Sequence, residues 1–221
     1  MSEPELVLKN VRCPDAFAPL FSQAEDNMRG FFQKMQYAPD QGEITIHGER
    51  YILARAATLS VQLRKILEEE YGRLAAEKIA YNLGRAAGTK DAEFFMEKLP
   101  LAQGPEALSA GPLHFAHTGW AFVDILEESA PSQDEDYFLL YDHPYSFEAD
   151  SYINEKIVTS RPVCQMNAGY SSGWCQVAFG VELVAKEICC RAKGDDKCRF
   201  VMAHPTKINQ YTVAMKEKYG I

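Results

Sequence analysis

The apolar positions of this chain change their period along its length, and the changes mark out its elements. Phe17, Leu20, Phe21, Ala24, Met28, Phe31, Phe32 and Met35 recur mostly at steps of three and four, the stripe of one helix face, with Asp15 placed to cap it. Residues 1–14 read as an extended lead-in that Pro14 ends. Pro39-Asp40-Gln41-Gly42 is a turn, Glu43 to His47 alternates like a short strand, and Gly48-Glu49-Arg50 is a second break. From about Tyr51 to Lys98 the helical period dominates. Ile52, Leu59, Leu63, Ile66 and Leu67 form one face, and Leu74, Ala75, Ile79, Leu83 and Ala86 form another after Gly72. Gly88-Thr89-Lys90-Asp91 is expected to break and restart this helix and Pro100 to stop it. The Gly104-Pro105 and Gly111-Pro112 pairs make residues 101–113 read as loop.

The pattern then turns to strands. Trp120 to Leu126 and Tyr137 to Tyr141 flank a polar turn and predict a hairpin. Phe147 to Ile157 suggests a short helix, and a second helix opens at Pro162-Val163 and ends near Gly180. Val181 to Cys190 and Cys198 to Ala203 read as paired strands around Arg191 to Lys197, and Tyr211 to Tyr219 is mildly helical. The fold class is α/β (α+β): helices first, then strand pairs with helices between them.

Composition sharpens this picture. Acidic residues outnumber basic ones by 31 to 23, a net charge of −8, which argues against direct nucleic-acid contact by this chain. No Gly-x-x-x-x-Gly-Lys-Ser/Thr phosphate loop, convincing DNA-binding helix pair, membrane-length apolar run or signal peptide is visible, so a cytoplasmic location is expected. The six cysteines stand out, because Cys164, Cys175, Cys189, Cys190 and Cys198 crowd the C-terminal part and leave only Cys13 outside it. Clustered cysteines without a secretory signal point to metal or redox chemistry rather than disulfides.

Cys190 and Cys198 flank the turn-forming Gly194-Asp195-Asp196, so a hairpin would bring both sulfurs to its base. Cys164 on the upstream helix and Glu187 on the incoming strand can complete a tetrahedral zinc shell, a closed structural site whose charge Lys186, Arg191, Lys193, Lys197 and Arg199 could offset. In a regular strand Glu187 shares a face with Cys189 rather than Cys190, so Cys190 serves only if the strand ends or bulges after Glu187.

Pro162-Val163-Cys164, Gly169-Tyr170-Ser171-Ser172-Gly173-Trp174, Glu187-Ile188-Cys189-Cys190 and Cys198-Arg199-Phe200 together resemble the 4-vinyl reductase type domain. They are similar in particular to the sensor domain of aromatic-responsive transcription activators of the XylR/DmpR type. Gly42-Glu43-Ile44, Gly48-Glu49-Arg50-Tyr51, Tyr71-Gly72, Gly111-Pro112 and Ser146 with Glu148-Ala149 extend the likeness, which runs from about residue 15 to about residue 205. The resemblance implies a ligand-binding fold related to trafficking-particle subunits. It further implies a homodimer with N-terminal segments at the contact, and a structural zinc held by Cys164, Glu187, Cys190 and Cys198. The family's carboxylate and second cysteine stand three apart, which selects Cys190 over Cys189. The implied layout is an N-terminal dimerisation segment at 1–42, the sensor domain at 43–205 and the start of a linker helix at 206–221.

The resemblance also implies a hydrophobic or aromatic effector in a buried pocket near the zinc, with Phe115, Phe122, Tyr141, His143, Tyr170 and Trp174 as its walls. Phenol sensors of this family are expected to hold the hydroxyl with a His and a Trp. Phe115 and His143 stand at those two positions here, and His114 and His117 flank Phe115 in the expected loop. The leading function is therefore a small-molecule sensor that regulates an output module such as a transcription activator, not an enzyme. A cofactor-dependent reductase is the alternative from the family name, although the Gly169 to Gly173 segment lacks dinucleotide-binding spacing. A protein-interaction adaptor and redox sensing through Cys175 or Cys189 are further alternatives.

Overall fold

The computed structural model describes residues 9–99 and 101–221; the first eight residues of the expected lead-in, and Pro100, lie outside the described residues. Its frame is a five-stranded sheet, in the order β1 (Val11–Arg12), β5 (Ala121–Ile125), β6 (Phe138–Ser146), β8 (Cys198–Ala203) and β7 (Val184–Cys189). β1 joins parallel to β5, and the other neighbours are antiparallel. A small antiparallel sheet of β2 (Met35–Ala38), β3 (Glu43–Ile46) and β4 (Glu49–Tyr51) stands apart from it. The helices are α1 (Ala18–Phe32), α2 (Leu63–Tyr71), α3 (Arg73–Lys98), α4 (Pro105–His117), α5 (Phe147–Asn154), α6 (Gln165–Phe179) and α7 (Ile208–Tyr219). Among the described residues no helix is long and apolar enough to cross a membrane.

Strand alternation sorts the main sheet into two faces. Leu139, Tyr141, Cys198, Phe200 and Met202 face the main core, which α1, α4 and α6 also fill. Leu140, Val201 and Ala203 face the opposite side, where α7 covers them with Ile208, Tyr211, Met215 and Tyr219. Arg199 belongs to that outer face. It pairs with Asp142 at 2.6 and 2.9 Å and lies under the Tyr219 ring at 3.8 Å, fastening α7 to the sheet.

α3 and α6 meet backbone to backbone. A methyl group on Gly84, Gly88, Gly169 or Gly173 would stand 1.9–2.2 Å from a carbonyl oxygen of the facing helix. Only glycine permits that approach, which explains why α3 runs unbroken through Gly88-Thr89-Lys90-Asp91 instead of restarting there. The glycine is a packing device on a helix whose face is buried, and its weak helix propensity is outweighed by that packing.

Three other expectations are corrected. Residues 101–104 are a turn, but 105–113 are not a loop: Gly104, at φ +95°, precedes Pro105, which opens α4 at its first turn, where a missing N–H costs nothing. Gly111 is held inside α4 by the Trp174 indole, whose Nε1 would lie 2.7 Å from an added methyl. His114 and His117 therefore sit on a helix. Of the expected break at Gly48-Glu49-Arg50 only Gly48 is a turn, because Glu49, Arg50 and Tyr51 return along β3 as β4. Met35 leaves the first helix for β2, where it pairs with Ile46 of β3.

Gly169→Ala is expected to force α3 and α6 apart and destabilise the chain by about 3 kcal/mol or more, at or beyond the upper end of ordinary overpacking. Gly30→Ala, at an open site on α1, is expected to stabilise by up to about 1 kcal/mol. Urea unfolding of the two variants checks both signs.

Candidate functional site

A cavity of about 30 Å³ lies between α4, β5, β6 and α6, lined almost wholly by carbon. Leu108, Gly111, Pro112 and Phe115 come from α4, Val123 and Ile125 from β5, Leu139 and Tyr141 from β6, and Tyr170, Ser171, Trp174 and Cys175 from α6. Phe115 and Tyr170 stack with ring centres 4.6 Å apart, and Trp120 approaches Tyr170 at 5.0 Å.

The polar tips of two wall aromatics are turned away and occupied. Trp174 Nε1 donates to the Ala107 carbonyl at 2.9 Å. The Tyr170 hydroxyl donates to Asp91 Oδ2 at 2.7 Å and lies 2.7 Å from His114 Nδ1. A phenol has one proton to give, so His114 must carry its hydrogen on Nδ1 and donate to Tyr170. Its Nε2 is then a buried lone pair with no partner among the described residues. Burial lowers the His114 pKa to about 3, aided by nearby His117, and raises that of Asp91.

Four of the six expected wall residues, Phe115, Tyr141, Tyr170 and Trp174, line this cavity. His143 borders it, with its ring 5.7 Å from Phe115 and 5.3 Å from Tyr141. Burial holds His143 neutral, with a pKa of about 3. Phe122 is elsewhere: it is half-buried on the other face of β5, under Arg12 and beside Tyr145, in an open groove. The strand itself carries the reason, since Phe122 shares its face with Asp124 while Val123 and Ile125 share the apolar one. Leu108, Val123, Ile125, Leu139, Ser171 and Cys175 were missed because nothing in their types separates a cavity wall from ordinary core.

The second feature is the cysteine corner. Cys164, Glu187, Cys190 and Cys198 place one donor atom each within 4.8 Å of one another, a group able to hold a metal ion. The register of β7 slips between Glu187 and Cys189, the bulge that Cys190 needed. Cys189 instead points its sulfur at the Lys197 carbonyl, 3.4 Å away. The Cys164–Cys198 and Cys198–Cys190 sulfurs are 3.7 and 3.8 Å apart. Zinc–sulfur bonds of about 2.3 Å at tetrahedral angles would set about the same spacing, so this donor set fits that metal.

Two backbone features offset part of the cost of negative charge in the buried corner. Cys164 caps the N-terminus of α6, where the helix dipole supports a thiolate, and the Arg191 amide donates to Cys198 Sγ at 3.4 Å. Glu187 accepts from the Cys164 amide at 2.8 Å, and its other oxygen has no protein partner among the described residues. Burial pushes the Glu187 carboxyl and the Cys164 thiol far above their usual values in the absence of a cation. The basic residues expected to offset this charge pair with other groups: Arg199 and Lys197 with Asp142, Arg191 with Asp150, Lys193 with Asp195, and Lys186 with Asn209.

The α/β frame thus sets an aromatic-walled cavity beside a cysteine corner. Residues 31–129 match the family described as activator of aromatic catabolism, and residues 148–203 match the 4-vinyl reductase type domain family. The chain is homologous to the sensor domains of aromatic-responsive transcription activators, as its C-terminal motifs led one to expect. The phenol regulator MopR of Acinetobacter guillouiae is 25% identical over 185 residues, 84% of this chain and 33% of that protein. The transcriptional regulatory protein XylR of Pseudomonas putida is 27% identical over 176 residues, 80% of this chain and 31% of that protein. This chain thus spans about a third of the length of these curated relatives. The phenol-responsive sensory domain of the transcription activator PoxR, crystallised with phenol, superposes with a TM-score of 0.70 at 25% identity, covering 81% of this chain and 89% of that one.

The neutral His114 makes a pH prediction. Its folded pKa of about 3 lies below the ordinary 6.5, so between those values the unfolded chain binds the extra proton and stability falls as pH falls. The His114→Phe variant is expected to lose about one proton of this slope, about 1.4 kcal/mol per pH unit, in urea unfolding between pH 6 and 4.

Proposed function

We infer that this chain is the sensor domain for an aromatic effector, that it holds a structural zinc, and that it controls an output module such as a transcription activator. The observation that carries this reading is the cavity: aromatic and aliphatic side chains from four elements of the main core line it. Phe115, Tyr141, Tyr170 and Trp174 are its contact residues, with His143 at its edge; Phe122 has no part in it.

The cavity's size suggests how binding becomes a signal. An apolar cavity of about 150 Å³ is what takes up benzene elsewhere, and this one is far smaller. An aromatic effector therefore favours an arrangement with the walls moved apart. That differential affinity is what a ligand needs to shift a conformational equilibrium.

Zinc at Cys164, Glu187, Cys190 and Cys198 would favour the deprotonated ligands, offset half of their negative charge and tie the start of α6 to both sides of the β7–β8 hairpin. A homodimer with residues 1–42 contributing to the contact accords with the exposed apolar side chains Met35 and Tyr37 in that segment, and Ile52, Leu53, Tyr71 and Leu74 offer further exposed apolar surface. Residues 43–205 form the sensor proper, and α7 lies in the stretch leading to the output module. A cytoplasmic setting suits reduced zinc ligands.

Two measurements test the reading. In native mass spectrometry the chain is expected to carry one zinc per protomer and to run as a dimer. Cys198→Ser should lose the metal and melt lower, while Cys13→Ser should do neither; a fully folded metal-free protein contradicts the zinc assignment. In thermal-shift and calorimetric titrations against a panel of aromatic and aliphatic compounds, an aromatic compound should raise the melting temperature and change the emission of Trp120 and Trp174, which flank Tyr170. Absence of any shift or heat across the panel defeats the sensor assignment.

A further inference from the structure

Trp120, in the joint between α4 and β5, stands between two spaces. On one side its ring packs on Phe115 and Tyr170, both wall residues of the cavity, with ring centres 5.5 and 5.0 Å away. On the other side it lines an open groove of about 480 Å³, together with Ala56, Ala116, Gly119, Tyr145 and Phe147. Of the aromatic residues in that groove, Trp120 alone packs its ring on the cavity wall.

The two tryptophans beside the cavity are held differently. Trp174 is buried, donates from Nε1 to the Ala107 carbonyl and lies against Gly111. Trp120 is half-buried, and its indole N–H has no hydrogen-bond partner among the described residues. The backbone of Trp120 is fixed on both sides. Its amide donates to the Phe115 carbonyl at 3.0 Å, and its carbonyl accepts from the Phe147 amide at 2.9 Å. The ring can therefore change rotamer while the chain around it stays in place. The groove supplies the room: small residues Ala56, Ala116 and Gly119 border it, and a methyl group on Gly119 would meet nothing.

An effector has to cross one wall to reach the cavity, and most walls are fastened. Glycine contacts hold α6 against α3, β6 lies between β5 and β8, and the Tyr170 hydroxyl is tied to Asp91 and His114. Phe115 has no polar atom to tie, and Trp120 covers it from the groove side.

We propose that Trp120 is the gate of the cavity: its indole turns out into the groove, Phe115 follows, and the effector passes from groove to cavity behind them. This rests on the sensor assignment and adds the route and the residue that sets the rate of exchange. Trp120 does not line the cavity, so it acts on the barrier and not on the bound state. A residue of that kind moves the association and dissociation rate constants by the same factor and leaves their ratio alone.

Stopped-flow mixing of the full chain with phenol and with toluene, read by Trp174 emission, tests this. Trp120→Ala should raise both rate constants by about tenfold or more, with Kd changed by less than about threefold. Ala56→Phe, at an exposed site that lines the groove, should take up the room for the turned ring and lower both rate constants. In the ligand-free protein, nitrogen-15 relaxation dispersion should show exchange at the Trp120 indole and none at that of Trp174, which tests the motion even where a variant does not fold. Three results overturn the gate and leave the sensor assignment standing: a rise in the dissociation rate alone with Kd weakened to match, rates unmoved by both variants, or a Trp120 indole as quiet as that of Trp174. Failure of both probes to bind the unmodified chain overturns both.

Discussion

The structure depends on the backbone contact between α3 and α6. Four glycines allow the two helices to close until carbonyl oxygens of one occupy the space a methyl group would need on the other. That contact fixes both the depth and the rotation of α6. Tyr170 and Trp174 each follow a contact glycine, Gly169 and Gly173, so their rings are set at a defined distance from α3. On α3, Asp91 lies one turn beyond Gly88, where it meets the Tyr170 hydroxyl. One face of α6 is thus spent on α3, and the rest is left to form a cavity wall and, at its N-terminus, to place Cys164 in the cysteine corner.

The elements legible in the sequence were those whose residues obey one local rule. The β5–β6 and β7–β8 pairs are short apolar runs on either side of polar turns, α1 repeats at helical spacing, and the structure contains each of them. The failures share a cause: Gly and Pro were read for their backbone effect when tertiary contacts governed their use. Gly88 looked like a break because its contact with the Tyr170 carbonyl crosses many intervening residues, and Gly111 looked like a loop because Trp174 is equally remote in sequence. Short β4 carries too few residues for its period to register.

The two parts of the site differ in the same way. Glu187, Cys190 and Cys198 are close in sequence and chemically distinctive, so the corner could be read, and only the bulge in β7 was needed to decide between Cys189 and Cys190. The cavity is made from four elements and from residue types that any core contains. The bond between Asp91 and Tyr170 spans 79 positions, and no spacing announces it. Phe122 illustrates how narrow the margin is. A shift of one residue moves a strand side chain to the other face, and the acidic Asp124 was the available sign of which face that was.

Cavity and cysteine corner share the seam between β6 and β8. His143 stands opposite Cys198, and Tyr141 opposite Phe200, whose rings are 5.1 Å apart. A metal in the corner would pin β8 and the start of α6, the two segments that frame this end of the cavity, while the glycine contact holds α6 along its length. α4 is tied to α6 through side chains: the Trp174 ring over Gly111 and its hydrogen bond to the Ala107 carbonyl, the contact between His114 and the Tyr170 hydroxyl, and the Phe115–Tyr170 stack. His114 on that helix reaches Tyr170 and through it Asp91 on α3, so a movement that begins at the cavity wall would be felt along the longest helix of the domain.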